Sequence, residues 1–192
     1  MLKLNNRYFL LRHGQATSNL NPRWIAAWPE KQKVSRLTPK GIKEVKKDSR
    51  FFKKIGLDLI YSSDLHRTVQ TAKIVGRTAK ASMIFVKDLR ELNTGIFNGQ
   101  SPDLYRAYFK NKLERFTKRP AKGESLLDYQ RRIYKFFKKI NQKHEGKKIL
   151  IICHGDPLWL LEGAVKNKTP RQMLKIYGNR LMPGEYKELK LK

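Results

Sequence analysis

The sequence predicts an α/β fold, a three-layer αβα sandwich with a mainly parallel central sheet and a helical insertion over the expected site. Apolar runs of strand length alternate with segments of helical periodicity, the order expected when helices cover both faces of a parallel sheet. Residues 149–153 are apolar throughout, as in a strand buried on both faces. The length of 192 residues indicates one domain over residues 1–192, with about residues 92–123 as its lid.

The first half of the chain is expected to alternate three strands with two helices. Thr38 and Pro39 have the pattern of a helix N-cap followed by proline at the first helical position, and Gly56 is expected to end that helix. The elements expected here are a strand at residues 8–11, a helix from Pro39 to about Ile55, a strand at residues 57–61, a helix capped by Ser62, Ser63 and Asp64 that ends near Thr78, and a strand at residues 83–86.

The second half of the chain has an insertion interrupted by glycine and proline before the longest predicted helix. Ser125, followed three residues later by Asp128, resembles a capping box at the start of a helix that ends near Lys143. Apolar side chains recur in that helix at i, i+3 and i+4 spacings, so they are expected to face the core. The elements expected after it are a strand at residues 148–153, a helix from about Leu158 and an edge strand at residues 186–191.

The composition is strongly basic, with 43 Lys and Arg against 16 Asp and Glu and a formal net charge of +27. A nucleic-acid module usually gathers its cations into one patch, stripe or tail. Here the excess is spread, since residues 1–57 carry 14 basic and 3 acidic side chains and residues 101–148 carry 15 and 5. The charge therefore indicates a generally basic surface that attracts anions, and nucleic acid is not the expected partner.

Other features of the sequence exclude several classes of protein. The hydrophobic fraction of 40% excludes a disordered chain, and no apolar run approaches the roughly 20 residues of a membrane span. The first residues lack the apolar region of a signal peptide, and the single cysteine, Cys153, is expected in the core. We expect a cytoplasmic protein without membrane contact. No decisive interface signal is present, so the oligomeric state stays open.

Two histidines, each followed by glycine, come directly after predicted strands, and an arginine follows a third. His13 and His154 end strands, while Arg67 lies in the first turn of a predicted helix. Because the carboxyl ends of parallel strands share one edge of a sheet, these side chains are expected to meet. Arg12 and Arg67 offer planar, permanently charged donors for phosphoryl oxygens, and a neutral imidazole can attack phosphorus. The remaining histidines, expected at the surface, are His66 and His144.

Five blocks of the sequence, in this order, carry a family resemblance. They are Leu11-Arg12-His13-Gly14-Gln15 with Asn19, Ser62 to Ala72, Leu89-Arg90-Glu91-Leu92 with Gly95 to Gly99, Gly123-Glu124-Ser125 with Asp128 and Arg132, and Cys153-His154-Gly155. Together they resemble the motifs of the histidine phosphatase superfamily, also called phosphoglycerate-mutase-like. The resemblance covers about residues 8–165, and the third block is similar to the branch that contains mutases and small-molecule phosphatases.

The resemblance implies a role for each matching residue. His13 would be the nucleophile that becomes phosphorylated, and Glu91 would be the proton donor. Arg12, Arg67 and His154 would complete the phosphate pocket. No metal and no cofactor are expected. The residues that the resemblance places at the substrate are Asn19, Gln15 and Gly155.

Two positions depart from the family pattern. Ala16 stands where a small hydroxyl residue is common, so one hydrogen bond to phosphate is expected to be missing. Asp156 follows the second His-Gly pair, where many members have glycine or another small residue, and brings a negative charge toward an anion site. Without the flanking blocks, Glu91 would be interpreted as a loop carboxylate paired with Arg90 or Lys87.

Three functions are compatible with this sequence. The first is a metal-independent phosphatase that hydrolyses phosphomonoesters of small metabolites through phospho-His13. The second is a phosphoglycerate mutase dependent on 2,3-bisphosphoglycerate, but the short insertion and short tail favour hydrolysis. The third is a non-catalytic binder of nucleic acid or an acidic partner, against which the intact set of site residues argues. Cations of the insertion that could meet a second anionic group of the substrate are Arg106, Lys110, Lys112, Arg115 and Arg119.

Overall fold

The structure, a computed structural model, describes residues 2–20, 25 and 34–191. Within these ranges a five-stranded sheet carries helices on both faces. The strands are β1 (Arg7–Arg12), β2 (Leu59–Ser63), β3 (Ser82–Val86), β4 (Lys148–Cys153) and β5 (Tyr186–Glu188). The helices are α1 (Thr17–Leu20), α2 (Pro39–Lys54), α3 (His66–Ala79), α4 (Pro102–Ala107), α5 (Leu126–Lys143), α6 (Gly155–Val165) and α7 (Pro170–Lys175).

The sheet has the strand order β3-β2-β4-β1-β5. β1, β2, β3 and β4 pair in parallel, while β5 runs antiparallel to β1 at one edge. The carboxyl ends of β1, β2 and β4 therefore lie side by side, and Arg12 is directly opposite Cys153 in the register. The predicted α/β class with a mainly parallel sheet is confirmed, and the central strands bring the two histidine segments together.

Two apolar layers separate the helices from the sheet. Alternating side chains of β4 point to opposite faces, because successive residues of a strand do so. Ile149 and Ile151 pack with α5 and α6 in one cluster, whereas Leu150 and Ile152 pack with α2 and α3 in the other. All four side chains are fully buried. This two-sided burial explains the apolar run in the sequence and gives the three predicted layers.

A close crossing between the β1 loop and α2 fixes the backbone next to the first histidine. Thr38 caps α2 as predicted, its hydroxyl oxygen accepting a hydrogen bond from Gly41 N at 3.0 Å. A Cβ on Gly14 would lie 2.6 Å from Val45 Cγ2, and one on Gly41 would lie 2.2 Å from Gln15 O. Only residues without a side chain fit this crossing, so Gly14 is required by packing against α2.

The predicted cap between β2 and α3 was wrong. β2 extends to Ser63, two residues beyond the expected end, and α3 begins at His66 with Leu65 at the N-cap and no side-chain cap. Ser62 and Ser63 are buried strand residues, since both pair with β3 and Ser62 also pairs with β4. Asp64 instead accepts two hydrogen bonds from the guanidinium of Arg90, each at 2.6 Å.

Two other elements differ in extent from the sequence predictions, and one histidine differs in exposure. α6 begins at Gly155, three residues before the expected start, so its first turn lies directly after the second histidine. β5 is limited to three residues, although its position at the edge was predicted. His144 is half-buried, with its Nε2 2.9 Å from Tyr61 Oη, while His66 is exposed as predicted. No helix in the described ranges is long and apolar enough to cross a membrane.

The insertion at residues 92–123 is closed at its base and carries α4 and two short 3-10 turns. Its two ends are joined by hydrogen bonds from Glu124 N to Asn93 O and from Ile96 N to Ala121 O. Gly95 has a φ of +61°, and a Cβ there would lie 2.1 Å from Ala121 O. The glycine therefore lets the two ends approach closely, which holds the insertion against one side of the sheet edge.

Candidate active site

The first histidine lies at the end of β1 with its tautomer fixed by the backbone. His13 is 3% exposed, and its Nδ1 lies 2.8 Å from Gly14 O. A carbonyl oxygen can only accept, so Nδ1 carries the proton and Nε2 keeps its lone pair. Arg67 Nε donates to this Nε2 at 3.2 Å. Burial, followed by the charge of Arg67, holds the pKa of His13 well below its ordinary value, and the ring stays neutral.

The second histidine lies at the end of β4 and faces the first across Arg67. The ring centroids of His13 and His154 are 5.2 Å apart. Arg67 Nη2 donates to His154 Nδ1 at 3.0 Å, so the proton of His154 lies on Nε2, which is 3.2 Å from Ser63 Oγ. Burial and then Arg67 lower the pKa of His154 well below its ordinary value. One guanidinium thus contacts the lone pairs of two neutral imidazoles.

Arg12 lies against the start of α6 and is half-buried. Its Nη1 donates to Leu181 O at 2.9 Å, while its Nε is buried without a hydrogen-bond partner. A Cβ on Gly155 would lie 3.1 Å from Arg12 Nη1 and 3.2 Å from its Cζ. Gly155 therefore makes room for the guanidinium. The unsatisfied Nε is a donor beside the cavity described below, as expected of a residue that binds an anion.

The carboxyl group of Glu91 completes the cluster from the loop after β3. Glu91 Oε2 lies 3.9 Å from His154 Nδ1, and 29% of the Glu91 side chain is exposed. Its Oε1 accepts hydrogen bonds from Leu92 N at 3.0 Å and from Tyr129 Oη at 3.1 Å. Burial, and next the charge of Asp156, raise the pKa of Glu91, although Arg67 opposes the shift. A carboxyl group of this kind can hold a proton at a pH where an exposed glutamate has lost it.

These groups surround a cavity of about 270 Å³. Such a volume lies just below the roughly 300–1,000 Å³ of typical small-ligand pockets. Arg12, His13, Arg67 and Glu91 line its floor, and Asn19 lines its rim. Among the described residues, the other lining side chains are Ser18, Ile25, Leu92, Thr94, Pro102, Tyr105, Arg106, Arg115, Asp156 and Tyr177.

The sequence-predicted residues differ in how they relate to this cavity. Asn19 lies at the rim with its Oδ1 accepting from Ala16 N at 2.9 Å, so its amide nitrogen remains as a donor. Gln15 turns toward α2, where its Oε1 accepts from Thr38 Oγ1 at 2.8 Å. Gly155 and His154 lie behind Arg12 and Arg67 rather than on the cavity wall.

Asp156, the second departure from the family pattern, forms an ion pair with the C-terminal part of the chain. Its Oδ1 accepts from Arg180 Nη1 at 2.6 Å and lies 3.4 Å from Tyr177 Oη. The guanidinium of Arg180 also stacks on the Tyr177 ring, with its Cζ 3.5 Å from the ring centroid. Tyr177 and Arg180 lie far from every motif in the sequence, and only the turn after α7 brings them here, so sequence patterns could not identify them.

The insertion forms the outer wall of the cavity. Tyr105 from α4 and Arg115 from the second 3-10 turn lie there, with the Arg115 Cζ 5.5 Å from the Tyr105 ring centroid. Arg115 Nε is buried without a hydrogen-bond partner. Arg106 also lines the wall but pairs with Asp103 at 2.7 Å. Of the five cations that could meet a second anionic group, these two arginines line the cavity, while Arg119 pairs with Asp128.

Two further sequence interpretations can be compared with the structure. Arg90 pairs with Asp64 through two hydrogen bonds and Glu91 lines the cavity, which does not favour the alternative interpretation of Glu91 as a loop carboxylate paired with Arg90 or Lys87. Cys153 is fully buried and its Sγ donates to Leu89 O at 2.8 Å, which confirms its expected place in the core. Across residues 2–20, 25 and 34–191, no three His, Cys, Asp or Glu side chains are grouped closely enough to hold a metal ion.

Comparison with known sequences agrees with this geometry. The sequence model of the histidine phosphatase superfamily (branch 1) matches residues 8–180, which include every residue of the cluster. The chain belongs to the histidine phosphatase superfamily. This confirms the family and the enzyme class predicted from the sequence, and the matched range covers the sheet core, the insertion and both histidine segments.

Several characterised or solved proteins are similar to this histidine phosphatase. The probable phosphoglycerate mutase GpmB of Escherichia fergusonii is 29% identical over 162 residues, which are 82% of this chain and 73% of the relative. The solved mycobacterial glucosyl-3-phosphoglycerate phosphatase in complex with VO3 superposes with a TM-score of 0.78 at 21% identity, covering 96% of this chain and 90% of that one. A putative α-ribazole-5'-P phosphatase of Escherichia coli gives 0.79 at 20% identity, covering 95% and 88%. Both solved structures share the fold of this chain.

Proposed function

We propose that this protein is a metal-independent phosphatase that hydrolyses phosphomonoesters of small metabolites through a phosphohistidine at His13. The observation that carries the proposal is the fixed tautomer of His13. Its Nδ1 proton is held by Gly14 O at 2.8 Å, and its Nε2 lone pair lies beside Arg67 at the cavity. A neutral, buried imidazole next to two guanidinium groups can act as a nucleophile at a site for an anion, once Arg67 Nε leaves the lone pair to bind a phosphoryl oxygen.

In the first half-reaction, the Nε2 lone pair of His13 attacks phosphorus and the bond from phosphorus to the ester oxygen breaks. Arg12 and Arg67 bind the phosphoryl oxygens, whose charge is greatest near the transition state. Glu91 Oε2 gives its proton to the departing alkoxide and becomes a carboxylate. The proton of His13 stays on Nδ1 and remains hydrogen-bonded to Gly14 O, which stabilises the positive charge that develops on the ring.

In the second half-reaction, water attacks the phosphorus of phospho-His13 and the phosphorus–nitrogen bond breaks. The Glu91 carboxylate takes a proton from that water, and the electron pair of the broken bond returns to His13 Nε2. Inorganic phosphate then leaves. The enzyme is restored with a neutral His13 and a protonated Glu91, so protons and electrons balance over the cycle.

The size and charge of the cavity favour a small substrate with a second anionic group. The volume of about 270 Å³ is close to that of a site for a small ligand. Arg115 lies in the outer wall with a buried Nε that has no partner, and an unsatisfied buried donor costs about 1–3 kcal/mol. A carboxylate or second phosphate on the substrate would satisfy that donor. We therefore propose phosphorylated carboxylates or bisphosphates as the preferred substrates.

Replacing Arg115 by alanine tests this choice of substrate. We expect KM to rise about 10-fold or more for phosphorylated carboxylates, since a hydrogen bond to a charged group is lost, and to stay unchanged for p-nitrophenyl phosphate. Arg119→Ala is the matched control, because Arg119 belongs to the same insertion but pairs with Asp128 outside the cavity. Equal KM changes for both substrates, or an Arg119→Ala effect of the same size, would remove Arg115 from substrate recognition.

A phosphoglycerate mutase is the second candidate, favoured by one observation. The relative from Escherichia fergusonii is named a probable phosphoglycerate mutase, and it covers 82% of this chain. Both reactions begin with phospho-His13 and differ in whether water or a second hydroxyl takes the phosphoryl group. Isomerisation of 3-phosphoglycerate, measured with catalytic 2,3-bisphosphoglycerate, separates them. Isomerisation faster than phosphate release would replace the phosphatase proposal by the mutase.

A panel of phosphorylated metabolites assayed in the presence of EDTA tests the proposal as a whole. The expected result is release of phosphate from several small phosphomonoesters, with highest kcat/KM for those that carry a second anionic group. Orthovanadate is expected to inhibit, because it resembles phosphate at the transition state. A requirement for added metal would contradict the metal-independent mechanism. No turnover anywhere on the panel would contradict the proposal as a whole and favour the non-catalytic alternative.

The charge of the chain predicts a salt dependence of the reaction. With a net charge of +27, the surface is expected to attract phosphorylated anions during diffusion. The Debye length falls from about 30 Å to about 3 Å between 0.01 M and 1 M salt, so this attraction is screened. We expect kcat/KM to fall over that range while kcat changes much less. Steady-state kinetics on p-nitrophenyl phosphate measure both, and equal decreases in the two would show that salt acts on the chemical step.

A further inference from the structure

The hydroxyl of Tyr129 lies between two acceptors beside the proposed proton donor. Tyr129 Oη is 2.9 Å from Arg90 O and 3.1 Å from Glu91 Oε1. A phenol has one proton, so it donates fully to only one of these oxygens at a time. Sequence motifs gave no role to Tyr129, which lies in the first turns of α5, outside the cavity wall.

Each of the two acceptors has another donor of its own. Glu91 Oε1 also accepts from Leu92 N at 3.0 Å, and Arg90 O also accepts from Arg132 Nη1 at 3.3 Å. The hydroxyl proton can therefore turn from one oxygen to the other without leaving either oxygen unsatisfied. A buried polar atom without a partner is costly in free energy. Because each oxygen has a second donor, the hydroxyl of Tyr129 can adopt both orientations without this cost.

The ring that carries the hydroxyl is held in place. Tyr129 is 0% exposed in the core between α5 and the sheet, and the Arg132 guanidinium lies 4.6 Å from its ring centroid. Arg132 is itself fixed by Glu124, which accepts from its Nε and Nη2 at 2.8 Å each. Rotation about the bond between the ring and the oxygen is then the motion that remains, and it moves a proton rather than a side chain.

We propose that Tyr129 is a positioning residue whose hydroxyl follows the protonation of Glu91, donating to Arg90 O while Glu91 holds its proton and to Glu91 Oε1 after that proton is given up. This inference rests on the proposed function. Because Leu92 N already donates to Oε1, the transferable proton lies on Oε2, the oxygen nearer His154. The hydroxyl thus fixes which oxygen acts as the acid and stabilises the carboxylate that the transfer leaves behind.

Charged and titratable groups from every neighbouring element also face Glu91. Arg12 from β1 and Arg67 from α3 favour the carboxylate, while Asp156 from α6 favours the protonated form. His154, after β4, is neutral, and its Nδ1 lies 3.9 Å from Oε2. None of these groups changes when the hydroxyl of Tyr129 is removed, so a variant that lacks only this oxygen isolates its contribution.

Tyr129→Phe removes the hydroxyl and keeps the ring that packs against Arg132. For glycerol phosphate, whose leaving alkoxide needs a proton, kcat/KM is expected to fall about 10-fold, the size of one hydrogen bond to a charged group. For p-nitrophenyl phosphate, whose leaving group needs no proton, kcat/KM is expected to stay within about 2-fold, since proton transfer contributes little there. Tyr134→Phe is the matched control, because Tyr134 lies on the same helix and its hydroxyl, unlike that of Tyr129, makes no hydrogen bond to Glu91.

A second measurement tests the inference without relying on turnover. In protein labelled with ¹³C at glutamate side-chain carboxyls, the Glu91 signal can be followed against pH by NMR. Removal of a donor to the carboxylate favours the protonated form, so the titration midpoint of Glu91 is expected to rise by about 1 unit in Tyr129→Phe, which corresponds to a 10-fold change. Tyr134→Phe is expected to leave that midpoint unchanged.

The outcomes separate this inference from the proposed function. Equal losses of kcat/KM on both substrates, or an unchanged midpoint for Glu91 in Tyr129→Phe, would overturn the role of Tyr129. An absence of phosphatase activity in the unaltered protein would overturn the proposed function alone, because the midpoint still reports on the hydrogen bond. A raised titration midpoint of Glu91, together with a loss of kcat/KM that is confined to glycerol phosphate, supports both the role of Tyr129 and the proposed function.

Discussion

Replacement of His13 by alanine is expected to reduce phosphatase turnover by about 10⁴-fold or more, the size of effect seen when a covalent nucleophile is removed. The expectation follows from the fixed orientation of the ring, whose Nε2 lone pair lies beside Arg67 while Nδ1 is held by Gly14 O. The arginines that bind phosphate remain in the variant, so the KM for p-nitrophenyl phosphate should change little. Steady-state assays at a high enzyme concentration measure the residual rate.

His144→Ala is the control for this experiment. His144 is a half-buried histidine whose Nε2 contacts Tyr61 Oη, away from the cavity. We expect the His144→Ala variant to have a somewhat lower melting temperature and a nearly unchanged kcat. A His13→Ala protein that folds, as judged by its melting temperature, and keeps more than a few per cent of the activity would mean that another group attacks phosphorus.

Glu91→Gln should give the second largest effect, and its size should depend on the leaving group. Glutamine keeps an oxygen that can accept from Leu92 N but carries no acidic proton. General acid catalysis contributes roughly 10²–10⁴-fold, so kcat/KM for glycerol phosphate is expected to fall by about that factor. For p-nitrophenyl phosphate the decrease should be less than about 10-fold, since its leaving group is stable without a proton.

The pH dependence of the same reaction follows from the direction of two pKa shifts. Burial lowers the pKa of His13, so the nucleophile stays neutral and active down to a pH well below the ordinary pKa of a histidine. Burial and Asp156 raise the pKa of Glu91, and the acid form is lost as pH rises through that raised value. The kcat/KM for glycerol phosphate should therefore decrease on the alkaline side, and the decrease should be absent from Glu91→Gln. A profile that is the same in both proteins would show that Glu91 is not the acid.

The sequence predicted the parts of the fold that depend on local patterns. The cap at Thr38 and the capping box at Ser125 and Asp128 have side chains that bond their own helix, so nearby residues contain the information. The buried run of β4 is likewise apolar because both of its faces are covered. The predicted start of α3 was wrong because β2 extends through Ser63. The last residues of β2 pair with β3 and β4, and such contacts between distant segments are not visible in a local pattern.

The candidate site could be predicted where its residues lie in motifs and not where tertiary packing supplies them. His13, His154 and Arg67 follow strands whose parallel order brings their ends together. Tyr177 reaches the cavity, and Arg180 reaches Asp156, only through the turn after α7, and their contact with Asp156 has no counterpart in the spacing of the sequence. The lack of a side chain at Gly14 is required by its contact with Val45 and Gly41 of α2, which lie far from it in the sequence.

The most direct test of the account is to trap the phosphorylated enzyme and locate the phosphoryl group. The protein would be mixed with p-nitrophenyl phosphate, quenched in alkali, where phosphohistidine is stable, and digested for mass spectrometry. The account predicts one phosphoryl group on the peptide that contains His13, attached at Nε2, and none in His13→Ala. A phosphoryl group on another residue, or turnover in the absence of any phosphorylated enzyme, would contradict it.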